Sequence, residues 1–214
     1  MKLSLAVLLL LIPAFCRAAE TKAVLFSENF AHGVSNRWQQ VKFGTPTDYH
    51  VVKEGTNSFL EAVADKTCSA FTVKLDIKPP QKLILRWRWK IDYAPTNGSE
   101  RVTSKFDHAA RVFVAFDTFI GTPRSLNYMW ANEEKVGTIL DHPLSGRTQL
   151  IMVESGNARA GEWVSEERDV VADWKNAFGK KTMPKIIGIG VLTDGDSLGC
   201  KLTADYADIT LVAE

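Results

Sequence analysis

Between Lys82 and Asp92 the chain alternates with a period of two. Leu83, Leu85, Trp87, Trp89 and Ile91 share one side, and Lys82, Arg86, Arg88 and Lys90 share the other, with Ile84 the one interruption. Such alternation predicts a half-buried antiparallel strand, with bulky apolar residues inward and cations outward. Like charges stacked on one face repel, so something must offset them. Two outcomes stay open. Acids on neighbouring strands, Glu154 and Asp117 among them, neutralise the ladder, or the ladder receives an anionic or hydroxyl-rich ligand.

Short alternating segments fill most of the remaining chain. Strands are expected near 23–27, 38–43, 48–53, 58–64, 68–76, 82–92, 109–117, 125–131, 148–154, 162–168, 185–193 and 202–212. Turn-forming clusters separate them, such as Glu54-Gly-Thr-Asn57, Pro79-Pro80, Gly121-Thr-Pro123 and Ser145-Gly146. Many short strands at this spacing predict an all-β fold, a jelly-roll-like antiparallel β-sandwich. One short α-helix is expected near 169–178. There Asp169 caps an apolar face of Val170, Val171, Trp174, Ala177 and Phe178, and Gly179 stops it. The polar stretch from Ala94 to Asp107 reads either as a lid or as a solvated connection.

The first residues change the compartment. Lys2 precedes an apolar run from Leu3 to Phe15, and Ala18 follows as a small residue, so residues 1–18 read as a cleavable export signal. That run is too short for a stable membrane span, and no other stretch is apolar enough to cross. The expectation is a periplasmic protein with one domain over 19–214. Removing Lys2 and Arg17 leaves 24 cations against 25 acids. This balance argues against nucleic-acid binding, which needs a strongly basic footprint. Two cysteines remain, Cys68 and Cys200, and in an oxidising compartment they are expected to form a disulfide.

Five separated runs carry a family resemblance: Leu85-Arg-Trp-Arg-Trp-Lys90, Ala109-Ala-Arg-Val-Phe-Val-Ala-Phe-Asp117, Leu126-Asn-Tyr-Met-Trp130, Val153-Glu-Ser-Gly156 and Arg168-Asp-Val-Val-Ala-Asp-Trp174. In this order the chain resembles a bacterial exported family known as a domain of unknown function, DUF3047. That resemblance implies export but transfers no activity, substrate or catalytic residue. A looser one concerns the two ends. Phe26-Ser-Glu-Asn-Phe-Ala-His-Gly33 with Trp38, and Tyr206-Ala-Asp-Ile-Thr-Leu211, are similar to the opening and closing segments of jelly-roll carbohydrate-binding modules of galactose-binding-like architecture. The likeness implies a structural calcium held by Glu28 and Asp208, with backbone carbonyls completing the oxygen set. No other cofactor is expected.

Candidate chemistry centres on four places. Arg86 and Arg88 suit bidentate grip on carboxylate or sulfate, with Lys90 as a supporting point charge. Tyr128 and Trp130 offer stacking surfaces beside the amide of Asn127, with core packing the competing reading for Trp130. Arg111 and Glu154 complete the expected ligand-binding set. Asp107, Ala109 and Arg111 fall on one strand face and His108 on the other, with Val112 and Val114. His108 as base and Tyr128 as acid would resemble polysaccharide-lyase chemistry, but no lyase motif accompanies them. Paired glycosidase carboxylates, the Gly-x-Ser-x-Gly elbow, zinc-ligand clusters and phosphate-cradling glycine loops are all missing from the sequence. The expectation is a non-catalytic envelope protein that binds an acidic or neutral glycan. A structural or partner-binding role and a lyase are the alternatives.

Overall fold

The computed structural model describes residues 22–118, 121–180 and 182–214. The expected export signal at 1–18 lies outside the described residues. All twelve expected strands form, within a few residues of their expected limits. They are β1 (Ala23–Glu28), β2 (Trp38–Lys42), β3 (Asp48–Glu54), β4 (Asn57–Asp65), β5 (Cys68–Ile77), β6 (Leu83–Ile91), β7 (His108–Phe116), β8 (Arg124–Ala131), β10 (Ser145–Ser155), β11 (Val164–Asp169), β12 (Ile186–Asp194) and β13 (Lys201–Ala213). A further four-residue strand, β9 (Ile139–His142), was not expected. It is too short for periodicity to register and exists by pairing with β10 at the sheet edge.

The strands form two sheets, as in a β-sandwich. One sheet has the order β11-β6-β13-β4-β3, with β1 added beside β13. The other has seven strands in the order β2-β5-β12-β7-β8-β10-β9. Pairing is antiparallel throughout, except that β10 runs parallel to β8. The helix α1 (Val170–Phe178) starts where expected, with the Asp169 carboxylate accepting the N–H groups of Val171 and Ala172. Gly179 ends it in the left-handed conformation at φ 62°, which a residue without Cβ adopts at little steric cost.

The core lies between the sheets and is built around aromatic rings. Leu83, Leu85, Trp87, Trp89 and Ile91 all point inward and are buried. Trp87 meets Trp89 edge-on at 5.3 Å, and across the sandwich Trp87 meets Tyr128 at 5.4 Å while Trp89 meets Trp130 at 5.6 Å. These separations fall in the favourable range for offset aromatic pairs. Tyr128 and Trp130, expected as ligand platforms, are therefore core residues. Strict alternation along β8 puts Leu126, Tyr128 and Trp130 on its inner side.

Truncating a fully buried tryptophan removes its contacts and leaves a cavity. Trp87→Ala is expected to lower unfolding stability by ~3–5 kcal/mol. Urea denaturation checks this, and an unchanged midpoint would contradict the assigned core.

Candidate functional site

The cationic ladder is closed by its own sheet. Arg86 Nε lies 2.6 Å from Glu167 Oε2, Arg88 Nε 2.7 Å from Asp208 Oδ2, and Lys90 Nζ 2.7 Å from Asp205 Oδ2. Lys82 Nζ reaches Glu214 Oε2 at 2.5 Å. Asp208 gets there through a bulge in β13, where its φ of 51° and the register shift between Ala207 and Thr210 turn its side chain to Arg88. Arg88 and Lys90 also lie near the ring of Trp163, at 5.0 and 5.4 Å from its centroid. The neutralising acids thus come from β11 and β13. Glu154 instead takes Arg159 at 2.6 Å, and Asp117 makes no ion pair with the ladder. Arg86, Arg88 and Lys90, expected as ligand contacts, are thus each paired with an acid of their own sheet, the Arg86 and Arg88 pairs in part-exposed positions.

Arg86 and Arg88 line a pocket of about 400 Å³ on this face, and a larger one lies on the opposite sheet. Along β7, Ala110, Val112, Val114 and Phe116 face the core, so Arg111, Phe113 and Ala115 face outward. All seven strands contribute to a cleft of about 710 Å³ on that outer face. Val41 comes from β2, Cys68 and Ala70 from β5, Leu192 and Asp194 from β12, Ser125 and Asn127 from β8, Thr148 from β10 and His142 from β9. Phe43 and Leu144 stand at the rim, 65% and 68% exposed. Gly190 faces Phe113 directly across the ladder. A Cβ there would meet Phe113 Cζ and the Phe71 carbonyl oxygen at 2.6 Å each, so glycine is what lets the ring lean onto the sheet. Beside it run hydrogen-bonding groups. Asn127 Nδ2 donates to Ser125 Oγ at 3.1 Å, and Ser125 Oγ lies 2.9 Å from Thr148 Oγ1.

One end of the cleft is walled by a buried charged cluster. The Arg111 guanidinium hydrogen-bonds Asp194 Oδ2 and is covered by the Phe106 ring, 4.8 Å from Cζ to centroid. Asp194 Oδ1 accepts the His108 N–H at 2.8 Å. A bulge in β7 between His108 and Arg111 brings both to the outer side, where strict alternation had separated them. The Ala94–Asp107 stretch is a connection tied down at several points, with Thr96, Asn97 and residues 101–105 exposed and Glu100 and Phe106 buried. Phe106 packs on Met129, Ala131, Leu150 and Met152, and the Glu100 carboxylate pins the segment by accepting the Asn132 and Glu134 N–H groups at 2.6 and 3.2 Å. Burial alone would raise the Glu100 carboxyl, but the His108 hydrogen bond, the nearby His108 charge and the backbone donors override it and hold it at about 2.

His108 is fully buried with Nε2 3.2 Å from Glu100 Oε1, and burial pushes its pKa down. It sits beside Phe106 on the outer side of the seven-stranded sheet, whereas Tyr128 lies between the sheets against Trp87. The two stand on opposite faces and do not form a base–acid pair. Cys68 and Cys200 are free thiols, which corrects the expected disulfide. Cys68 belongs to the cleft floor, where burial and then Asp194 push its thiol up to about 12, while Cys200 interacts with Tyr93. Glu28 and Asp208, expected to share calcium, are each occupied by protein donors: Glu28 accepts Phe30 N–H at 2.9 Å and Trp38 Nε1–H at 3.0 Å. Among the described residues no group of three or more His, Cys, Asp or Glu gathers to hold a metal.

Of the expected ligand residues, Arg111 and Asn127 reach the cleft. Phe113, Ser125, Thr148 and Arg124 were missed. The apolar run Val112–Phe116 hides which side of β7 is outward, and the available signal was the alternating Gly188 and Gly190 of β12.

A family described as "Protein of unknown function (DUF3047)" matches residues 36–210. The chain belongs to this family. No curated protein matches it. Among solved structures it is similar to a family 11 carbohydrate-binding module from Clostridium thermocellum in complex with a β-1,3-1,4-mixed-linked tetrasaccharide. That pair shares 11% identity at a TM-score of 0.45, over 90% of this chain and 95% of the other. The K3 adhesin domain of Lys-gingipain from Porphyromonas gingivalis is similar at 10% identity and a TM-score of 0.46, over 90% and 100%. A tandem family 22 carbohydrate-binding module from Paenibacillus barcinonensis gives 14% identity and 0.47, over 92% of this chain and 51% of that one.

Glu166 lies on the inner side of edge strand β11, opposite Trp87. Burial and then the charge of Glu154 push its carboxyl up to about 7. An unfolded glutamate titrates near about 4.3. Between these values the folded chain keeps a proton that the unfolded chain has lost. Stability from this group therefore falls as pH rises through that window and levels off above it. His142, lowered to about 4 by burial and then Arg111, acts with the opposite sign. Its contribution is lost as pH falls from its ordinary value towards 4. Comparison with Glu166→Gln isolates the glutamate. Relative to wild type, the variant is expected to gain stability between pH 5 and pH 8 in urea titrations. Parallel pH profiles for the two proteins would refute the assignment.

Proposed function

We propose that the chain is a non-catalytic glycan-binding β-sandwich whose site is the cleft across the outer face of the seven-stranded sheet. The observation that carries this reading is the floor itself. Phe113, seated over Gly190, offers an aromatic surface to the apolar side of a sugar ring, and Asn127, Ser125 and Thr148 lie alongside for its hydroxyl groups. Apolar lining with a few placed polar groups is the usual make-up of a ligand site. The expected contacts of the cation ladder are replaced by this set, while Arg111 and Asn127 carry over. Export to the periplasm is part of the proposal and is supported by the pattern of residues 1–18.

Docking of a protein partner is the second reading, and the exposed side chains of Phe43 and Leu144 at the rim favour it. Affinity electrophoresis in polysaccharide gels separates the two. Glycan binding requires retardation in at least one gel and its loss in Phe113→Ala. Burial of a large apolar side chain contributes ~1.5–3 kcal/mol, so the loss should be at least about tenfold. Arg86→Ala should leave retardation unchanged. Retardation that survives Phe113→Ala but disappears with Arg86→Ala would move the site back to the other sheet.

A further inference from the structure

We propose that the glycan taken by the cleft is an uncharged chain of linked sugar rings and not an acidic one. This rests on the glycan-binding reading above and specifies its ligand. Four charged side chains line the cleft, Arg111 and Arg124 against Asp194 and Asp196, so its formal charge is balanced. Arg111 is 3% exposed. Its guanidinium is held by Asp194 and capped by Phe106, so gripping a ligand carboxylate would mean breaking that pair. Both Asp194 oxygens are already engaged, Oδ1 by the His108 N–H and Oδ2 by Arg111 and by Cys68 Sγ at 3.9 Å.

Arg124 leans over the Phe178 ring, 5.0 Å from its centroid. Asp196 is exposed just beyond Asp194, at the end of the sheet opposite Arg124, and repels a polyanion approaching there. His142 supplies no charge near neutral pH, since burial, Arg111 and His108 push it down to about 4. An acidic polymer entering this cleft would lose hydration of its carboxylates and find Arg111 already paired, with Arg124, at the far end, the one lining arginine outside an ion pair among the described residues. An uncharged ring meets Phe113 and the amide and hydroxyl groups beside it with no such loss. The densest cation run in the chain, on β6, lies on the other sheet and is already matched by acids.

The test uses the purified mature chain with matched polymers: hydroxyethylcellulose against carboxymethylcellulose, and barley mixed-linkage β-glucan against polygalacturonate. Binding is read by affinity electrophoresis and by isothermal titration at 50 and 500 mM NaCl. The expected result is that an uncharged polymer binds at least tenfold more tightly than its acidic counterpart, with affinity unchanged between the two salt conditions. Tighter binding of an acidic polymer, weakened by salt and abolished in Arg124→Gln, would overturn the proposal and leave glycan binding intact. Failure of all four polymers to bind would overturn the glycan reading and this proposal with it.

Discussion

Packing of Trp87 and Trp89 against Tyr128 and Trp130 decides which side of each sheet meets solvent. In a strand, one inward residue fixes the direction of all its neighbours, because side chains alternate. Four large rings locked between β6 and β8 therefore set the facing of both sheets together. On β6 the outward residues become Arg86, Arg88 and Lys90. On β7 and β8 they become Arg111, Phe113, Ala115, Ser125 and Asn127. A register slip of one residue would drive cations into the core, so the arrangement is strongly specified.

The two outer faces that result have opposite chemistry. On the six-stranded sheet, each cation of β6 is paired with an acid from β11 or β13. Exposed pairs of this type contribute little stability, ~0–1 kcal/mol each. Their main effect is to leave the arginines already engaged. On the seven-stranded sheet the Arg111–Asp194 pair sits at one end under Phe106, Arg124 stands at the other over Phe178, and the middle is left to Phe113, Ala70, Leu192 and Asn127. Glycines in β12 keep that floor low. The cleft exists because Gly190 has no Cβ and because the Ala94–Asp107 segment, tied down by Glu100, covers only one end of the sheet.

Much of the fold was legible in the sequence. Alternation and turn residues located twelve strands, and the Asp169 and Gly179 signals bounded the helix. The pairing order, the parallel β8–β10 contact and β9 were not legible, since they depend on tertiary neighbours and not on local pattern. The site was harder to find. The cation ladder attracted attention because charges on a strand are conspicuous, yet acids far away in sequence, Asp205, Asp208 and Glu214, cancel it. Phe113 was not singled out, lying within an apolar run. His108 was assigned to the wrong side because a bulge, which alternation alone does not reveal, adds one residue to β7. Tyr128 and Trp130 were readable as core by the same alternation that placed Trp87 and Trp89.

The most direct test of where ligand meets this molecule is residue-level NMR shift mapping with a soluble neutral oligosaccharide. The account predicts that the largest perturbations fall on Phe113, Ser125, Asn127 and Thr148, with the amides of β6 unmoved. Perturbations centred on Arg86, Arg88 and Lys90, with the seven-stranded sheet silent, would contradict it.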